Sequence, residues 1–190
     1  MKKVLFIDRD GTMITEPPLD FQVDSLEKLE FLPYAISSLK KLQDYGYELV
    51  MVTNQDGRGT SSFPEEDFQK PHQKMLKILK NEGVEFAEIF IDDSFPEDNS
   101  PNRKPNTGLL TNYLISNLID LHNSYTIGDR ETDVQLAQNL GCKAIFFSER
   151  NLGNTGLNSN SWPAICSFLT GKRDRLVELE RNTKETKIRL

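Results

Sequence analysis

Short apolar runs alternate with longer segments of helical spacing along the first 150 residues, and this alternation limits the chain to very few architectures. The runs at 3–8, 47–53, 87–91, 124–127 and 143–147 are rich in Val, Ile, Leu, Phe or Tyr and read as five strands. Between them, apolar residues recur at helical intervals: Ile36, Leu39 and Leu42; Met75, Leu76 and Leu79; Leu110, Tyr113 and Leu114; Val134, Ala137 and Leu140. Strand and helix in strict alternation predict an α/β fold, a doubly wound, mainly parallel five-stranded (Rossmann-like) sheet with helices on both faces. In such a sheet ligands bind outside the carboxyl ends of the strands, near the point where strand order reverses.

Those ends carry acids and small hydroxyls. The first closes on Asp8-Arg9-Asp10-Gly11-Thr12, the second on Thr53-Asn54-Gln55, and the fourth on Gly128-Asp129-Arg130-Glu131-Thr132-Asp133. In extended backbone Asp8 and Asp10 project to the same side. Two close carboxylates repel unless a cation lies between them or one keeps its proton. Mg²⁺, a hard ion that takes oxygen ligands, meets that need, and Asp129 adds a third carboxylate, so Asp8, Asp10 and Asp129 are the expected metal ligands. Phosphoryl transfer requires a nucleophile, positive charge around the equatorial oxygens and a proton donor for the leaving group. Asp8 is the expected nucleophile, Asp10 the general acid and then base, and Lys104 the cation holding the transferred charge. Thr53, Asn54 and Lys104 are expected to bind the phosphate. Thr12 and Asp133 are expected to support the site, Asp133 by orienting the loop or Lys104.

D-x-D-G-T, a hydroxyl residue ending the second strand, the Lys of Arg103-Lys104-Pro105 and the G-D-x-x-x-D at Gly128 together resemble the four-part signature of haloacid-dehalogenase-type phosphatases. A lone D-x-D is weak evidence; four elements in the same order, each at a strand end or loop, are strong. The resemblance covers the first 150 residues and implies an Mg²⁺-dependent phosphomonoesterase with a phospho-aspartyl intermediate and a minimal cap that selects the leaving group. Glu16-Pro17-Pro18, Asp20-Phe21-Gln22-Val23-Asp24 and Thr53-Asn54-Gln55-Asp56-Gly57 are similar to the histidinol-phosphatase domains of bifunctional histidine-biosynthesis enzymes. That closer resemblance implies L-histidinol phosphate as substrate. Glu16, Gln22 and Arg103 are the candidates for contacting it, although Glu16 and Gln22 equally suit a turn or helix entry.

The same resemblance divides the chain into a phosphatase domain at 1–150, a linker and short docking helix at 151–175, and the start of a truncated dehydratase domain at 176–190, where Arg181-Asn182-Thr183-Lys184-Glu185-Thr186 is similar to the opening of imidazoleglycerol-phosphate dehydratases. Only His72 and His122 are present, and both read as ordinary histidines, so no dehydratase activity is expected. Relatives commonly bind zinc through three cysteines and a histidine in the loop before the Arg-Lys-Pro motif. Here the loop at 92–102 contains neither residue type, which excludes a tetrahedral N/S site and predicts no zinc.

Composition narrows the partners. A net charge of −6 disfavours a nucleic-acid surface, which needs clustered Lys and Arg. No apolar run approaches the ~20 residues of a membrane span, and Val4 to Ile7 is too short for a signal peptide. A cytoplasmic protein acting on a small-molecule phosphomonoester is expected, with no nucleic-acid or membrane partner, monomeric in this form. The two cysteines, Cys142 and Cys166, read as reduced thiols. Two rival readings share the chemistry. A receiver-type phospho-aspartate switch takes its acid from the third strand, whereas here the D-x-D closes the first. A heptose-bisphosphate-type sugar phosphatase shares all four motifs but not the Glu-Pro-Pro and Phe-Gln-Val-Asp segments.

Overall fold

The computed structural model describes residues 1–171 and, beyond them, the backbone of 180–182 and 187–189. Its central sheet is entirely parallel and contains β1 (Lys3–Ile7), β2 (Tyr47–Asn54), β3 (Glu88–Asp92), β4 (Tyr125–Gly128), β5 (Lys143–Phe146) and β6 (Leu157–Asn158), in the order β3-β2-β1-β4-β5-β6. The five expected strands are therefore joined by a sixth at the edge. It is only two residues long and lies in the Asn-, Gly- and Ser-rich stretch read as linker, so no apolar pattern announces it. Main-chain bonds from Gly156 N–H to Ala144 C=O (2.8 Å) and from Ser159 N–H to Phe146 C=O (3.0 Å) secure it. Further on, 180–182 pairs antiparallel with 187–189. The dehydratase-like reading of 176–190 otherwise lies outside the described residues.

The helices are α1 (Ala35–Asp44), α2 (Glu65–Asn81), α3 (Thr111–Ile115), α4 (Glu131–Leu140) and α5 (Trp162–Thr170). The alternation of side chains along a strand divides them between the two faces of the sheet. Leu5, Ile7, Leu49 and Met51 point to one face, where they join Leu39 and Leu42 of α1, Met75 and Leu79 of α2, and Trp162 and Ile165 of α5. Val4, Phe6, Val50 and Val52 point to the other, against Tyr113 of α3 and Leu136 and Leu140 of α4. Both faces are covered, as the continuous apolar strands require. No helix among the described residues is long and apolar enough to cross a membrane.

Strand order reverses between β1 and β4. Asp8 follows directly on β1 and Asp129 directly on β4, so the topology sets these two acids side by side at the crevice. Helix α5 supports this corner from beneath. Ser161 caps it by accepting from Ala164 N–H, and Trp162, 1% exposed, donates its indole N–H to the Thr12 main-chain carbonyl at 2.8 Å. Trp162→Phe keeps much of the ring but strands that carbonyl. A loss of about 1–2 kcal/mol in urea unfolding is expected, with little change in the urea dependence of the transition.

Candidate active site

Asp8, Asp10, Thr53, Asn54 and Lys104 meet at the mouth of the crevice and line a cleft of about 540 Å³. Lys104 is 4% exposed and donates to Asp8 Oδ1 and to Asp133 Oδ1, both at 2.7 Å. Burial works against its charge, but the two carboxylates outweigh that and hold the ammonium above its ordinary range. One oxygen of Asp8 is thus fixed by the lysine, and the other is left for chemistry. Asp133 also accepts from the Arg130 main-chain N–H at 3.1 Å, which ties the lysine to the first turn of α4.

Two glycines permit this closeness. Gly11 has φ +69°, and a Cβ there would lie 2.3 Å from Asp129 Oδ2; a Cβ on Gly128 would lie 2.1 Å from Asp133 Cγ. Neither position tolerates a side chain without displacing an acid.

Asp10 faces a different set of partners. Arg9, fully buried, donates through Nη1 to both Asp10 oxygens at 2.9 and 3.1 Å, and Gln55 Nε2 donates to Oδ2 at 2.6 Å. Burial raises the affinity of Asp10 for a proton, while Arg9 and the Gln55 hydrogen bond oppose it. The same Gln55 amide reaches Thr53 Oγ1 at 2.8 Å, which leaves the threonine hydroxyl hydrogen for another acceptor. Asn54 turns towards the backbone of Lys104, accepting from its N–H at 3.0 Å and donating to its carbonyl at 3.2 Å.

The remaining candidates are more peripheral. Glu16 lines the cleft and is paired with Arg130 across it. Gln22 also lines the cleft, its main chain held by Asp20 and Lys28. Arg103 is engaged by both oxygens of Asp56 and by the Ser94 carbonyl. Thr12 is fully buried, and its hydroxyl has no hydrogen-bond partner among the described residues. His72 is buried against Phe68, with ring centroids 4.9 Å apart. Burial, with the nearby Arg9 and Arg58, pushes it down to about 4.

Three carboxylates, those of Asp8, Asp129 and Asp133, have ligand atoms within 4.8 Å of one another. Asp10 stands outside this group because Arg9 and Gln55 hold its carboxylate. Within it, Asp129 Oδ1 is buried without a hydrogen-bond partner among the described residues. Burial, followed by Asp8, Asp133 and Glu16, pushes Asp129 up to about 7 against the opposing pull of Arg130. Crowded anions with an unused buried oxygen fit a hard divalent cation, held by Asp8 and Asp129, whose lone pairs are not exhausted by lysine. Because its folded-state value is raised, Asp129 destabilises the metal-free fold progressively as pH rises from the ordinary carboxylate range to about 7, and the loss is complete above that. Saturating Mg²⁺ should therefore raise Tm by about 5 °C or more at pH 8. The increase should be smaller at pH 6 and be abolished by EDTA.

Sequence reasoning missed Arg9, Gln55 and the Asn54 bracket. Period-two alternation from Thr53 would have placed Gln55 on the side of the cleft, and a cation set directly between two acids, as Arg9 is, was itself a signal.

A family model described as polynucleotide kinase 3 phosphatase matches residues 3–145. Among curated proteins, the histidine biosynthesis bifunctional protein HisB of Bacteroides fragilis is 50% identical over 98% of this chain and 52% of its own length. That of Spirosoma linguale is 50% identical over 100% of this chain and 54% of its own. The chain thus spans about half the length of the curated relatives it matches. Among solved structures, the D,D-heptose 1,7-bisphosphate phosphatase of B. bronchiseptica, complexed with magnesium and phosphate, has a TM-score of 0.77 at 23% identity and covers 90% of this chain and 99% of its own. A HAD-like phosphatase of Mesorhizobium loti has a TM-score of 0.71 at 23% identity, covering 92% and 89%. At that identity the two structures speak for the fold.

Proposed function

Since the chain belongs to the haloacid-dehalogenase-type phosphatases, through the family described as polynucleotide kinase 3 phosphatase, we propose that it hydrolyses L-histidinol phosphate to L-histidinol and phosphate, as a cytoplasmic, monomeric, Mg²⁺-dependent enzyme of histidine biosynthesis. The observation that carries the reading is Asp8, held by Lys104 through one oxygen at the end of β1, facing the cleft beside the acid Asp10. The similarity to HisB proteins supports the substrate.

The free oxygen of Asp8 attacks phosphorus, and the bond to the leaving oxygen breaks as Asp10 gives that oxygen its proton. The product is an aspartyl phosphate and the free alcohol. A water then attacks the same phosphorus while the Asp10 carboxylate takes its proton; the bond from phosphorus to the Asp8 oxygen breaks, regenerating Asp8 and releasing phosphate. Arg9 and Gln55 keep Asp10 aimed in both steps. Lys104 and the free hydroxyl hydrogen of Thr53 meet the charge on the equatorial oxygens. Bound at Asp8 and Asp129, Mg²⁺ would supply the further positive charge that the transferring group requires.

The family description raises a second substrate, a polynucleotide 3′-phosphate. Six acids, Asp8, Asp10, Glu16, Asp20, Asp56 and Glu131, line the cleft against three cations, Arg103, Lys104 and Arg130, and this excess of negative charge disfavours a polyanion and suits a leaving group bearing a cationic amine. Phosphate release from L-histidinol phosphate, heptose bisphosphate and a 3′-phosphorylated oligonucleotide, each with Mg²⁺ or EDTA, distinguishes them. Fast Mg²⁺-dependent turnover of the first is expected; preference for another would retain the chemistry and remove the substrate.

A further inference from the structure

The loop from 92 to 103 delivers Lys104 to the cleft, and its organising centre is a carboxylate. Asp92, the last residue of β3, is 6% exposed. Its Oδ1 accepts from the Ser94 hydroxyl and, at 3.1 Å, from the Ser94 main-chain N–H; its Oδ2 accepts from the Ser100 hydroxyl at 3.0 Å. One side chain thereby gathers the two ends of the loop. Each serine then passes the constraint on through its own main-chain carbonyl. That of Ser94 accepts from Arg103 Nη1 at 2.7 Å, and that of Ser100 accepts from Asn106 Nδ2 at 2.8 Å. Arg103 immediately precedes the lysine and Asn106 lies two residues after it. The lysine's own backbone is bracketed from the opposite side by Asn54.

We propose that Asp92 is a positioning residue for Lys104, gathering Ser94 and Ser100 so that their carbonyls hold Arg103 and Asn106 on either side of the lysine. The loop contains no cysteine or histidine, and a side chain with acceptors on both oxygens does within the protein what a bound ion would do from outside it. Asp92 touches neither Asp8 nor Asp129 and reaches them only through Lys104. The inference rests on the phosphatase reading only in assigning Lys104 its task; the arrangement of the loop is independent of it.

The test uses the full chain with Asp92→Ala and Asp92→Asn. Turnover of L-histidinol phosphate is measured well below Tm, together with the Mg²⁺-induced shift in Tm and hydrogen–deuterium exchange over 93–107. Asp92→Ala should lower kcat about 10- to 100-fold, speed exchange across the loop and retain an Mg²⁺-induced rise in Tm, because Asp8 and Asp129 are both still present. Asp92→Asn, which still accepts from Ser94 and can donate to the Ser100 hydroxyl, should recover most of the loss. Wild-type kcat and exchange in Asp92→Ala would overturn the proposal, as would a lost Tm with unchanged kcat in the folded fraction. If Asp92→Ala does not fold, the paired Ser94→Ala/Ser100→Ala variant carries the same expectations. Faster loop exchange in a protein whose wild type releases no phosphate from any tested ester would refute the proposed function and leave the loop's anchoring by Asp92 intact.

Discussion

Asp8→Asn is expected to lower kcat by about 10⁴-fold or more without harming the fold. Asparagine keeps the size and the acceptor that Lys104 needs, but its amide is a poor nucleophile, and no other carboxylate is placed to replace it. Asp10 is tied by Arg9 and Gln55, and Asp133 by Lys104 and the Arg130 N–H. Removing one of three crowded acids also relieves the repulsion felt by Asp129. In EDTA the variant should melt at the wild-type temperature or above it, while gaining less from Mg²⁺. Acid-quenched reactions with labelled substrate should show phosphoprotein in the wild type and none in the variant. Retention of a tenth of the activity would mean that another group attacks phosphorus.

Lys104→Ala should be costly in a different way. The ammonium lies between two carboxylates in a fully enclosed position, and removing it leaves both uncompensated. Breaking a buried pair from one side costs about 3–5 kcal/mol, and the loss should appear as a lower urea midpoint in metal-free buffer. Added Mg²⁺ should restore part of it by supplying positive charge close by. Turnover should fall about 10²–10³-fold even in the folded fraction, because the charge on the transferring group is then poorly met. Arginine is not a safe replacement; its planar fork is larger and demands a different geometry from a point charge. A destabilisation below about 1 kcal/mol would show that solvent reaches the lysine freely.

The fold was readable because β1 and β2, at the centre of the sheet, are buried on both faces and so appear as nearly unbroken apolar runs, although the connections from β1 to α1 and from β3 to α3 are long. The two-residue β6 escaped since its pairing is purely main-chain, which no composition reveals. At the site, the acids were legible from their place at strand ends, but their partners were not. Asn54 looks like a phosphate ligand in sequence, yet its amide matches the donor and acceptor of the Lys104 main chain fifty residues away, a juxtaposition created by the loop. Arg103 beside the lysine reads as a substrate contact, and in the structure its guanidinium is engaged by Asp56 and the Ser94 carbonyl, partners the sequence did not announce. For Asp133 the sequence left open the loop or the lysine, and in the structure one oxygen goes to each. Local pattern reports which face a side chain takes; long-range contacts decide what it finds there.

The indole of Trp162 reaches the carbonyl of Thr12 across 150 positions of sequence. Every motif that lines the cleft is complete by Asp133, so a fragment cut after residue 150 would preserve all the cleft's chemistry on paper. It would nonetheless lack α5, expose the apolar underside of β1 and α1, and leave the turn after β1 without its strut. Anything joined beyond that helix is also mechanically in series with it, so that tension on the C-terminal side would pass within one hydrogen bond of the loop that carries Asp8.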